Sequence, residues 1–134
     1  MLNRRLFVSC AICAAAGLAA TDASAQTAGV VRTILQRTDD PEGPGYEIIL
    51  AQGDVPAGAT VARHTHPGVE TGVILAGTGE FMMQGQPNRT IAPGDSFQVP
   101  TGVPHAIQNG SAPMQIASTY VVEKGKPLAT PAPE

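Results

Sequence analysis

The sequence predicts an all-β sandwich or barrel. Short apolar runs recur along the chain between Gly- and Pro-containing turn signals, and no apolar period of 3.6 residues is sustained between them. Many short strands closed by such turns are the pattern of a single β domain.

Taken in order, Gln26 to Gly29 is a short polar leader and Val31–Gln36 reads as the first strand. The stretch Thr38 to Gly45 is a loop, because its prolines and glycines break any period. Further strands are expected at Tyr46–Val55, Ala59–His64, Glu70–Leu75, Glu80–Gln84, Arg89–Ile91, Ser96–Val99, His105–Asn109 and Gln115–Val122. Turns separate them at Pro56-Ala57-Gly58, Gly77-Thr78-Gly79, Gly85-Gln86-Pro87, Ala92-Pro93-Gly94 and Asn109-Gly110. Tyr46-Glu47-Ile48-Ile49-Leu50 does not alternate cleanly, which implies burial on both faces. The barrel is thus expected over residues 30–122. The segment 123–134, with three prolines and little to pack, is expected as a flexible C-terminal tail.

The first 25 residues read as a cleaved signal peptide. Arg4-Arg5 precede an apolar run from Leu6 to Ala20, and Ala23-Ser24-Ala25 is an A-x-A cleavage site. The run is shorter than the ~20 apolar residues a spanning helix needs. Arg4-Arg5-Leu6-Phe7-Val8 resembles a twin-arginine signal, with the general secretory route as the alternative. A periplasmic or secreted destination is expected. Cleavage would leave 134 less 25, or 109, residues and remove both cysteines, Cys10 and Cys13. Without Arg4, Arg5 and Asp22 the chain has six basic and ten acidic residues, a net charge of −4. No basic stripe interleaved with aromatics is present, which argues against nucleic acid, and no membrane-surface helix is expected in the mature form.

All three histidines fall in two stretches, the first from Gly58 to Gly77 and the second from Gly94 to Asn109. Side chains two apart on a strand point the same way, so His64 and His66 can face inward together. Pro67-Gly68 turns the chain and Glu70 returns from the next strand, while His105 follows the stiff loop 100–104. Three imidazoles and a carboxylate point to a divalent transition metal held by His64, His66, Glu70 and His105. Zinc in a four-coordinate site would leave no room for substrate, whereas octahedral manganese, iron, nickel or cobalt would keep two open positions. Copper is a further candidate, since imidazole-rich sites bind it tightly. Folding and loading before twin-arginine export favour manganese or iron.

The two stretches resemble the two cupin motifs. Gly58, His64, His66, Glu70 and Gly77 fit the first motif, and Gly94, Pro100, Gly102, His105 and Asn109 fit the second, with 16 residues between them. The resemblance implies a jelly-roll barrel (a double-stranded β-helix) in which His64, His66, Glu70 and His105 are the metal ligands. Asn109 and the glycines are assigned to strand ends and turns.

Strand parity places Thr60, Ala62, Gly72, Ile74 and Ile107 inside and Val61, Arg63, Val73 and Leu75 outside, with Phe97, Val99 and some of Phe81, Met82 and Met83 lining the interior. Such a cavity is mostly apolar with no evident inward Lys or Arg, which disfavours highly anionic substrates. The apolar outer face predicts a homodimer. The resemblance extends to quercetinase-like dioxygenases, which implies a metal-dependent reaction on a small hydroxylated or enol compound, with Glu70 as general base. A periplasmic module that binds a metal or small ligand without turnover is the alternative.

Overall fold

The computed structural model describes residues 28–134, so the signal-peptide expectation for residues 1–25 lies outside the described residues. Ten strands follow one another: β1 (Val31–Asp39), β2 (Tyr46–Val55), β3 (Thr60–Thr65), β4 (Gly68–Ala76), β5 (Gly79–Met83), β6 (Arg89–Ile91), β7 (Ser96–Val99), β8 (His105–Asn109), β9 (Met114–Glu123) and β10 (Thr130–Pro131). They form two five-stranded antiparallel sheets, one in the order β1-β2-β9-β4-β7 and the other β10-β3-β8-β5-β6. The protein is therefore all-β, a single jelly-roll sandwich with no helix among the described residues.

Alternation builds the interior. On β9, Met114, Ile116, Ser118, Tyr120 and Val122 are buried while the intervening residues are less so. β4 repeats the pattern at Gly68, Glu70, Gly72 and Ile74, and the two strands pair with Glu70 opposite Tyr120. One apolar cluster centres on Ile74, Phe81, Ile91, Phe97 and Ile116, and a second on Ile49, Tyr120, Val122 and Leu128. The His/Glu cluster lies between these two packed regions. The turns behave as their sequences require: Gly58, Gly77, Gly94 and Gly102 all have positive φ. Asn109 closes the β8 end by donating to the carbonyls of Val55, Pro56 and Ala112.

Two expectations need correction. The first concerns β3, whose pairing with β8 is irregular between Val61 and His64. The irregularity shifts the inside–outside alternation, so Val61 packs on the core alongside inward-facing His64. The second concerns residues 123–134, which are not a loose tail. β9 runs to Glu123, Leu128 and Ala129 are buried, and β10 pairs with β3 through Thr130–Thr65 and Pro131–His64. Three prolines do not prevent this, because an edge strand needs few of its own N–H groups.

Candidate metal centre

The four sequence-predicted ligands converge. His64 stands near the end of β3 and His105 at the start of β8, and the two are directly paired across that sheet. Glu70 comes from β4 in the opposite sheet, and His66 from the short connection between β3 and β4. All four are buried, at 3–5% exposure, and one donor atom from each lies within 4.8 Å of the others. The cluster thus joins the two sheets across the sandwich.

The backbone decides which ring nitrogen faces inward. His64 Nδ1 lies 2.7 Å from the carbonyl of Ala62, His66 Nδ1 2.5 Å from that of Leu128, and His105 Nδ1 3.0 Å from that of Val103. A carbonyl oxygen only accepts, so each Nδ1 carries a proton and each ring turns its Nε2 to the centre. His64 Nε2 is then 3.2 Å from His66 Nε2, and Glu70 Oε2 is 3.0 Å from His66 Nε2 and 3.1 Å from His105 Nε2. Converging lone pairs and a carboxylate repel one another unless protons or a cation lie among them. Donors ~2.1 Å from one ion at right angles stand about 3.0 Å apart, against about 3.4 Å in a tetrahedron. The residues present fit a transition-metal ion.

The titration behaviour agrees. His64 is pushed down to about 3, chiefly by burial and then by the neighbouring His105, so it is neutral at ordinary pH. Burial opposes charge on Glu70, but hydrogen bonds from His105 and His66 outweigh it and hold the carboxyl well below its usual range. Those bonds need a proton on Nε2 of His66 or His105, the same position a metal takes.

Beside the cluster is a cavity of about 60 Å³, which His64, Glu70 and His105 help to line. Phe97, stacked on Phe81 with ring centroids 5.0 Å apart, closes one wall. Two other residues lining it carry chemistry that strand parity did not single out. Tyr120 packs edge-on against His66, with centroids 4.9 Å apart, and its hydroxyl is hydrogen-bonded to Glu70 and Ser118. Burial and then the Glu70 charge push its phenol upward, so it stays protonated. Arg32, from β1, also lines the cavity, and its guanidinium carbon sits 5.7 Å from the centre of the Tyr120 ring. The expectation of a cavity with no inward Lys or Arg is therefore overturned. The signal that could have found Tyr120 is the β9 alternation, in which Val122, Tyr120 and Ser118 share the buried face. Nothing in the β1 sequence marked Arg32.

The chain belongs to the Cupin_2 family, whose cupin-domain model matches residues 48–125. A segment of 59 residues is 44% identical to dimethylsulfoniopropionate lyase DddQ of Ruegeria pomeroyi, covering 44% of this chain and 29% of that protein. The crystal structure of that lyase superposes with a TM-score of 0.67 at 26% identity, covering 83% of this chain and 57% of the other. A double-stranded β-helix protein from Klebsiella pneumoniae superposes with a TM-score of 0.65 at 18% identity, covering 83% of this chain and 91% of the other. This chain spans less than two thirds of the length of the Ruegeria lyase.

Proposed function

We propose that this chain is a metal-dependent cupin enzyme that carries out an elimination on a small carboxylate, in the manner of a dimethylsulfoniopropionate lyase. The observation that carries the reading is a buried His64-His66-Glu70-His105 cluster facing a cavity of only about 60 Å³. The small, apolar-walled cavity favours a compact substrate, and the dioxygenase expected from the quercetinase resemblance is the second reading. The curated lyase relative supports the same choice.

A manganese or iron ion is the favoured occupant, and when bound it would polarise a substrate oxygen and make the neighbouring C–H more acidic. His64, His66, Glu70 and His105 would hold it. Glu70, whose carboxylate lines the cavity, would accept that proton as the bond to the β leaving group breaks. Tyr120 keeps its phenol proton and, through its hydrogen bond to Glu70, orients the carboxylate. Phe81 and Phe97 exclude water from one side of the cavity. In this reading the protein is exported, since Arg4 to Ala25 have the parts of a signal peptide. It also forms a homodimer, an assignment supported by the exposed apolar side chains of Val31, Leu35, Leu75 and Val121.

The test is to load the purified mature protein with manganese or iron in turn. Dimethyl sulfide release from dimethylsulfoniopropionate is measured beside oxygen uptake with flavonols, catechols and diketones. Sulfide release without oxygen uptake is expected. Oxygen uptake with a flavonol would replace the lyase reading with a dioxygenase. Stoichiometric binding without turnover would make the chain a binding module. Light scattering of the same sample checks the dimer, and a monomer would remove that assignment.

A further inference from the structure

We infer, on the reading of this cavity as the substrate site, that Arg32 recognises the substrate's anionic end and that this end is a carboxylate. β1 is an edge strand, exposed along nearly its whole length, yet Arg32 is half-buried between exposed neighbours. It pairs with Gly53 of β2, where the missing side chain leaves the cavity open beneath it, and Gly53 itself lines that cavity.

The guanidinium is the unusual feature. Arg37 pairs with Glu47, Lys124 with Asp39 and Lys126 with Glu123. Arg63 donates to Pro133 and Gln84, and Arg89 donates to Ser96. Arg32 alone among these basic side chains has no ion pair or side-chain hydrogen bond within the described residues, and its contact there is the face of Tyr120. Its fork of N–H donors matches two carboxylate oxygens, and it stays charged at every relevant pH.

Charge points the same way. A metal binds imidazole in its neutral form, so a divalent ion held by the three histidines and Glu70, with Arg32 beside it, would leave the cavity with two positive charges. A cavity of about 60 Å³ between apolar walls such as Val55, Phe97 and Ile116 restricts the anion to a small one. A carboxylate on a short hydrocarbon stem meets both demands, whereas phosphate has no apolar part to place against those walls.

The probes are propionate, its uncharged isostere propionamide, and inorganic phosphate. The chain has two tyrosines and no tryptophan, so Tyr46→Phe leaves Tyr120 as the one emitter, beside Arg32. In the metal-loaded protein, propionate should change tyrosine emission saturably, and propionamide should bind at least tenfold more weakly. Arg32→Gln should raise the propionate Kd at least tenfold with metal content and melting temperature unchanged, while Arg32→Lys should fall between. Equal propionate binding by Arg32→Gln, equal binding of propionamide, tighter binding of phosphate, or no propionate binding at all would each overturn the inference. Arg32-dependent propionate binding without dimethyl sulfide release would sink the lyase reading and leave this one standing. Sulfide release with Arg32-independent propionate binding would do the reverse.

Discussion

Because Ala62, Leu128 and Val103 each take the Nδ1 proton of a histidine, protons and cations alone govern what happens at Nε2. Two consequences follow at single residues. Removing one imidazole leaves three donors, so His105→Ala should retain less than a tenth of the wild-type metal by elemental analysis. Full occupancy in that mutant would remove His105 from the ligand set. The metal-free protein should also be acid-sensitive. His64 titrates near 6.5 when unfolded and about 3 when folded, so below about 6.5 the unfolded chain takes up a proton that the folded one refuses. Stability therefore falls as pH drops from 6.5 towards 3. Glu70, depressed in the fold, adds a loss of the same sign once the pH passes below its unfolded value. Thermal melts of stripped protein should decline across this window, and a flat profile from pH 7 to pH 4 would contradict the assignment. The cluster residues were legible in the sequence because each falls at a fixed place within one of two short motifs, His64, His66 and Glu70 in the first and His105 in the second. The carbonyl that holds His66 was not, because Leu128 lies 62 positions away.

At the scale of elements, the last turn and β10 support the site. Leu128 buries its side chain against Ile49, Tyr120 and Val122 while its carbonyl orients His66. A chain ending at Glu123 loses both. It should be destabilised by about 2–3 kcal/mol, the worth of burying one large aliphatic side chain, and should bind metal some 10–100-fold more weakly, as losing the partner of a ligating histidine does. Denaturant titration and metal competition read the two effects separately. Unchanged metal affinity would make the C-terminal segment a bystander. β4 offers the complementary case: a Cβ at Gly68 would collide with the carbonyl oxygen of Val121 on β9, and one at Gly72 with the Phe97 ring. Gly72→Ala should cost about 1–3 kcal/mol as overpacking, and Gly68→Ala more, since backbone yields less than a ring. Equal stability for all three proteins by urea unfolding would count against this packing. Strand positions were readable here because apolar runs and turn residues are neighbours in sequence. The irregularity in β3 was not, since two-residue alternation cannot reveal where pairing slips.

Across the whole molecule, two sheets are joined by a core and by a cluster drawing His64 and His105 from one sheet and Glu70 from the other. Both cysteines lie outside the described residues, so the described sandwich has no disulfide to help hold it. An ion bound to the folded state alone stabilises it by about 2.7 kcal/mol at a hundredfold excess over Kd. For a domain of this size, chelation should lower the melting temperature by roughly 10 °C. Calorimetry with and without chelator checks this, and identical melts would mean that the cluster holds no stabilising ion.

By itself the sequence determined the all-β class, most strand positions, the turn glycines and the four residues of the buried His/Glu cluster. Each of these rests on local patterns, namely alternation, turn residues and the internal spacing of two separate motifs, one holding His64, His66 and Glu70 and the other His105. The tertiary structure decided that Val61 turns inward, that the C-terminal segment packs on the site, and that Tyr120 and Arg32 meet over the cavity. Those outcomes depend on how strands distant in sequence align, and no local pattern encodes that alignment.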